Sequence, residues 1–132
     1  MSLRKVEYVL DSSALIAVLS LEAGYERVKE LLDRSAISAI NLAETVNKLA
    51  LKTSSPDGAR EHLLPLELAV VDWTEEMAYQ SAEFTPYMKS HGLSLGARAC
   101  LTLAKQLHAT AVTADRSWRR TPPLGVRVMI FR

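Results

Sequence analysis

Three carboxylates in this chain stand where an apolar run gives way to a polar turn. Asp11 ends the run Val6-Glu7-Tyr8-Val9-Leu10, and two hydroxyl residues, Ser12 and Ser13, follow it. Glu44 lies in Ile40-Asn41-Leu42-Ala43-Glu44, just after the short apolar stretch Ala36–Ala39. Asp115 closes Val112-Thr113-Ala114-Asp115. Carboxylate oxygens are the preferred ligands of hard cations such as Mg²⁺ and Mn²⁺. A cluster of them repels itself, and so favours holding a divalent ion. Each acid also has a structural reading. Asp11 and Asp115 can cap the helices that follow them, and Asn41-x-x-Glu44 resembles a capping box. The pattern alone leaves both readings open.

For the three acids to converge, the elements before them must end along one line. The sequence predicts a first, central strand at Lys5–Leu10 and a helix at Ser13–Ser20. After a break near Gly24, helical spacing resumes over Tyr25–Leu32. Ala36–Ala39 is short enough for a buried second strand. Asn41 then caps a helix striped by Leu42, Val46, Leu49 and Ala50. Ser54–Gly58 reads as a loop, and a short helix to about Leu64 ends at Pro65. Leu68–Val71 is a third strand. Thr74 caps the next helix, with Glu75 and Glu76 in its first turn. Pro86 kinks that helix or ends it early. His91-Gly92 is a turn, and Ser94 caps a helix with Leu95, Ala99, Leu103 and Leu107 on one face. Thr110–Thr113 is a fourth strand and Arg116–Arg120 a short helix. Pro122-Pro123 is a loop, and Val126–Phe131 is a last, edge strand.

Alternation of this kind implies an α/β fold: three layers, α/β/α, with a central, mostly parallel sheet of four to five strands. In such sheets ligands bind beyond the carboxyl ends of the strands, which is where all three acids fall.

Length and composition suit one domain over residues 1–132. Nearly half the chain is hydrophobic, enough for a real core, and the net charge of +1 indicates neither a basic coat nor an acidic tail. One cysteine, Cys100, cannot form an intrachain disulfide and fits a reducing compartment. There is no signal-peptide pattern and no apolar run of about 18 residues, so the expectation is a cytoplasmic protein that spans no membrane. No phosphate loop or dinucleotide fingerprint is present. No covalent nucleophile stands out: Ser12 and Ser13 have no adjacent histidine, and His62, His91 and His108 sit in unrelated stretches. Cys100 reads as a small core residue. Trp73 and Trp118 read as packing residues, although Trp118 could stack on a base. Asp72 reads as support for the cap at Thr74.

Five segments together resemble a PIN domain: Val9–Ile16, Ser38–Glu44, Gly92–Gly96, Ala99–Ala104 and Val112–Trp118. More narrowly, they resemble the VapC-type toxins of bacterial toxin–antitoxin pairs. The resemblance runs from about Tyr8 to Trp118, with the motifs in family order. It implies a Mg²⁺- or Mn²⁺-dependent endoribonuclease in which Asp11 matches the first acid of the site, Glu44 the second and Asp115 the fourth. Ser13 matches the hydroxyl position after the first acid, and Arg98 and Arg116 are candidate substrate contacts, with Arg119 and Arg120 near them. The resemblance also implies a small antitoxin partner, a homodimer, and RNA, possibly transfer RNA, as the substrate.

One position departs from the family. After Leu93-Ser94-Leu95-Gly96 the family has an aspartate, its third acid; here stands Ala97. No Asp or Glu occurs between Phe84 and Ala114, so a register shift cannot supply one. Losing that carboxylate weakens cation binding but spares the fold, since alanine is a strong helix former. The expectation is an enzyme weakened or silenced at Ala97, the alternative a non-catalytic module of the same fold that binds RNA or protein. Two origins suit Ala97: a substitution that silences a toxic enzyme, which the intact flanks favour, and natural decay.

Overall fold

The computed structural model describes residues 5–53, 55–87, 93–120 and 125–132. Five short strands form one sheet: β1 (Tyr8–Leu10), β2 (Ser35–Ser38), β3 (Ala69–Val71), β4 (Thr110–Thr113) and β5 (Val128–Ile130). Their order is β3-β2-β1-β4-β5, and every pairing is parallel. The chain runs outward from β1 to one edge, then returns to β4 on the other side of β1. The gap between β1 and β4 is therefore the point where the winding reverses, the place where open α/β sheets bind ligands.

Alternation along the strands builds the layers. Neighbouring residues on a strand face opposite sides of the sheet. Val9 and Ala111 accordingly join one buried cluster, with Phe84, Cys100, Leu101, Leu103 and Trp118. Leu10 and Val112 join another, with Ala14, Ala17, Val28, Leu31 and Phe131. The first cluster is covered by α5 (Glu75–Gln80) and α6 (Leu95–Leu107), the second by α1 (Ser12–Ser20) and α2 (Tyr25–Lys29). A sheet with an apolar cluster on each face gives the three layers the sequence implies. The remaining α-helices among the described residues are α3 (Ala39–Thr53) and α4 (Pro56–Leu63). α3 touches both α1 and α6, bridging the two helical layers.

Local chemistry explains most boundaries. Thr74 accepts from the Met77 N–H and starts α5; Ser94 accepts from the Ala97 N–H and starts α6. α5 tightens into 3₁₀ geometry over Ser81–Tyr87, the segment that holds Pro86. Gly24 caps α2 at φ +84°, where a Cβ would also meet the Phe131 carbonyl oxygen at 2.7 Å. Only glycine lets the α1–α2 turn lie against the end of β5. Several expectations need correcting. Ser54–Gly58 is not all loop: α4 starts at Pro56, where the Ser55 hydroxyl caps it by accepting from the Gly58 N–H. The helix expected over Tyr25–Leu32 ends at Lys29, and a 3₁₀ turn follows at Leu32–Arg34. The second, third and last strands are Ser35–Ser38, Ala69–Val71 and Val128–Ile130, not Ala36–Ala39, Leu68–Val71 and Val126–Phe131. The first strand is Tyr8–Leu10 rather than Lys5–Leu10. Asn41 is not a cap: α3 starts at Ala39, two residues earlier, where the Ser38 hydroxyl accepts from the Ile40 N–H. The turn at His91-Gly92 and the loop at Pro122-Pro123 lie outside the described residues, as does Ser54 of the loop before α4. Among the described residues, no helix is long and apolar enough to cross a membrane.

Candidate active site at the carboxyl edge of the sheet

The N-terminal turns of three helices meet above the carboxyl ends of the strands. Asp11 follows β1 and caps α1, its Oδ1 accepting from the Ala14 N–H at 2.9 Å. The carboxylate is buried, with 7% of the residue exposed. Two hydroxyls hold it. Ser13 Oγ donates to Oδ1 at 2.6 Å, and Thr113 Oγ1 donates to Oδ2. Each hydroxyl in turn accepts from the loop after β4, Ser13 from the Ala114 N–H and Thr113 from the Asp115 N–H, both at 3.0 Å. Two parallel relays thus fix Asp11 against the segment that carries Asp115.

Burial pushes the Asp11 carboxyl above its usual range. The bonds from Ser13, Thr113 and Ala14 oppose that shift, and the nearby Glu44 charge adds to it. The same two carboxylates act on Cys100, whose thiol is pushed well up, first by burial and then by their charges. Cys100 stays a neutral core residue, its Sγ–H facing the Val9 carbonyl at 3.6 Å.

Glu44 reaches the site from the first turns of α3. Asn41 Nδ2 donates both to Glu44 Oε1 at 3.0 Å and to the Gly96 carbonyl at 2.9 Å, tying α3 to the start of α6. Asn41 therefore orients the acid instead of forming a capping box with it. The carboxylate packs on the bare Cα of Gly96: a Cβ there would overlap both carboxylate oxygens and stand 2.5 Å from Cδ. Ala97, where the resemblance leads one to expect an acid, is the next residue.

Asp115 is exposed, and its Oδ1 accepts from the Ser117 N–H at 2.9 Å and from the Ser117 hydroxyl at 2.7 Å. It caps the 3₁₀ turn Arg116–Arg120, as its structural reading holds. Among the described residues, no group of three or more His, Cys, Asp or Glu is placed to hold a metal ion together.

The donors nevertheless suit a hard cation. A carboxylate offers about four acceptor positions, and Asp11 uses three of them. Glu44 Oε2 receives no hydrogen bond among the described residues. Magnesium is commonly held by one or two carboxylates together with waters and substrate phosphates. The arrangement fits that mode, not an all-protein cage.

The remaining candidates are placed as follows. Ser13 spends its hydroxyl on the relay between Asp11 and Ala114. Arg98 is half-buried on α6, with a buried Nε that has no hydrogen-bond partner among the described residues. Arg116 is exposed, its Nε donating to the Arg132 backbone oxygen at 3.4 Å. Trp118 is a core residue, 3% exposed. His62 bonds to the Gly58 carbonyl on α4, and His108 ends α6 in a left-handed conformation; neither belongs to the site. Thr113 is the residue the sequence reading passed over. Its signal is register: Leu10 pairs with Val112, so the next residues, Asp11 and Thr113, lie side by side.

Residues 8–123 match the PIN domain family. No curated protein matches the chain. Among solved structures, the VapBC2 complex of Rickettsia felis bound to a promoter DNA fragment is similar, with a TM-score of 0.69 and 20% identity over 94% of this chain and 98% of that one. A toxin–antitoxin complex from Klebsiella pneumoniae has a TM-score of 0.65 and 19% identity over 91% and 95%. FitAcB from Neisseria gonorrhoeae has a TM-score of 0.64 and 24% identity over 92% and 96%. At these identities the structures share the fold. With residues 8–123 matched, most of its length, and a parallel five-stranded sheet, the chain belongs to the PIN domain family.

Proposed function

We propose that this chain is a VapC-type toxin, a metal-dependent endoribonuclease weakened at Ala97, and that Asp11, Glu44 and Asp115 are its catalytic and metal-binding acids. The observation that carries the reading is the packing of Glu44 on Gly96. It brings the second acid to the helix turn where the third belongs, with Asp11 close enough to feel its charge. Bound Mg²⁺ or Mn²⁺ would supply an acidified water and charge neutralisation on a phosphate. Asp11, Glu44 and Asp115 would hold the ion, Asp11 and Glu44 through the free positions on their oxygens. Ser13 and Thr113 keep the Asp11 carboxylate from turning away, and Asn41 does the same for Glu44. The helix starts around them favour an anion such as a phosphodiester. The similarity to toxin–antitoxin complexes supports a small antitoxin as partner; we extend the reading to a cytoplasmic homodimer that cuts RNA, with transfer RNA the first substrate to try.

The test is Ala97→Asp. The folded variant should cleave RNA with Mg²⁺ or Mn²⁺ and arrest growth when expressed, while the parent does neither or does so feebly. Failure of the variant to cut RNA with either metal refutes the reading. A second reading, a non-catalytic binding module, is favoured by the lack of a three-ligand group among the described residues. It predicts that Ala97→Asp leaves RNA or protein binding as it was and adds no cleavage.

A further inference from the structure

Glu44, Lys48 and Lys52 follow one another at intervals of four on α3. Residues so spaced share a helix face, and each step advances about 6 Å along the axis. The row begins at the candidate site and runs away from it. It forms one wall of a groove of about 480 Å³ against α1, lined by Ser13, Ile16, Glu22, Lys48, Lys52 and Arg132 among others. Ser13, which lines the groove, donates to Asp11, so the groove ends one side chain away from the buried carboxylate. Lys48 and Lys52 are exposed and make no ion pair among the described residues. Among the described residues, Lys52 Nζ reaches only the Ser20 hydroxyl, at 3.4 Å. The single acid of the lining, Glu22, is engaged by Arg132 at 3.2 Å. Arg116 stands beside Arg132 through its bond to that residue's backbone. Ile16 and Leu51 line the same groove as the cations, and Leu51 is 85% exposed.

We propose that the α1–α3 groove is the track along which single-stranded RNA leaves the candidate site, with Lys48 and Lys52 contacting successive phosphates. The inference rests on the ribonuclease reading and adds a direction to it. Two unpaired ammonium groups one helical turn apart suit a repeating anion, and ammonium–phosphate contacts position a strand without reading its sequence. The apolar side chains that line the groove with them give bases a surface to lie on. The proposal shifts the main phosphate contacts from Arg98, whose Nε is buried, to the lysines of α3.

The experiment measures binding of a fluorescent twelve-residue oligouridylate to the full chain across a salt series, with EDTA present so that nothing is cut. Lys48→Gln/Lys52→Gln, both surface changes, should weaken binding roughly tenfold at ~0.1 M salt. It should also flatten the slope of log affinity against log salt by about 1.4, two contacts at roughly 0.7 each. Glu22→Gln, which frees Arg132, should tighten binding. In an Ala97→Asp background that cuts RNA, the double lysine variant should raise KM and leave kcat nearly unchanged. Unaltered affinity and slope, or an unaltered KM, overturns the track while the ribonuclease reading stands. Absence of RNA binding by the parent together with absence of cutting by Ala97→Asp overturns both. A polyglutamate peptide that binds through these lysines where oligouridylate does not would make the groove a protein subsite and overturn the proposal.

Discussion

Replacing Gly96 by alanine separates the fold from the site. Gly96 lies in the first turn of α6, so alanine there gains about 1 kcal/mol of helix propensity. Its methyl group would overlap the Glu44 carboxylate. The obstacle is the far end of a flexible side chain, so Glu44 can swing away instead of forcing the backbone apart. The swing gives up the 3.0 Å bond from Asn41, worth about 0.5–1.5 kcal/mol net. Asn41 keeps its second acceptor, the Gly96 carbonyl. The two terms nearly cancel, so stability should change by less than about 1 kcal/mol. The site should change far more. With Glu44 displaced, one cause of the raised Asp11 pKa is removed, and Asp11 should titrate at lower pH than in the parent. Urea unfolding gives the first quantity and carboxyl-carbon NMR titration the second. A loss above ~3 kcal/mol would mean that the backbone at α6 cannot accommodate the methyl, as overpacking a rigid core costs about that much. An unmoved Asp11 titration would mean that Glu44 does not act on Asp11 from this position. Either result refutes the reasoning.

Three further outcomes follow from the same contacts. Thr113→Val removes a buried donor to a carboxylate and the acceptor of the Asp115 N–H; unfolding should show a loss of about 1.5–3 kcal/mol, and Asp11 should titrate still higher. Asp11→Asn should alter the pH dependence of stability. The folded pKa of Asp11 is raised, so its contribution is fully present below the ordinary carboxylate value and is lost as pH rises through the folded value. Relative to the parent the variant should therefore become more stable as pH rises across that window, and urea melts at a series of pH values check the sign. Gly24→Ala should cost about 2–4 kcal/mol, from a left-handed φ and a collision with the Phe131 backbone, read as a fall in Tm.

The layers were legible because hydrophobic spacing changes period sharply here. β4 has the boundaries the sequence predicts, Thr110–Thr113, since an apolar core of two residues is closed by hydroxyls and an acid. The caps at Thr74 and Ser94 were legible because a hydroxyl before a helical run has one favourable use. The start of α3 was not, because Ser38 and Asn41 compete for the same role and only the tertiary bond from Asn41 to Gly96 settles which serves where. Thr113 was hidden for a related reason. Its value comes from lying beside Asp11, and that depends on β1 pairing with a strand about a hundred residues away. The part of Glu44 that depends on Gly96 was likewise invisible, since a glycine in a helix turn reads as a weakness until the neighbouring carboxylate is in place.

That separation along the chain has a temporal consequence. The Asp11 carboxylate is held by a hydroxyl 102 positions downstream and by a second hydroxyl anchored 101 positions away. Contacts so distant in sequence close late, after the entropy of the intervening loop has been lost. During synthesis, a nascent chain that has not yet delivered β4 has no partner for Asp11 on that side. A fragment ending before Thr113 lacks both the hydroxyl that donates to Asp11 and the Ala114 N–H that anchors Ser13, so the geometry of this edge is complete only when the sheet nearly is.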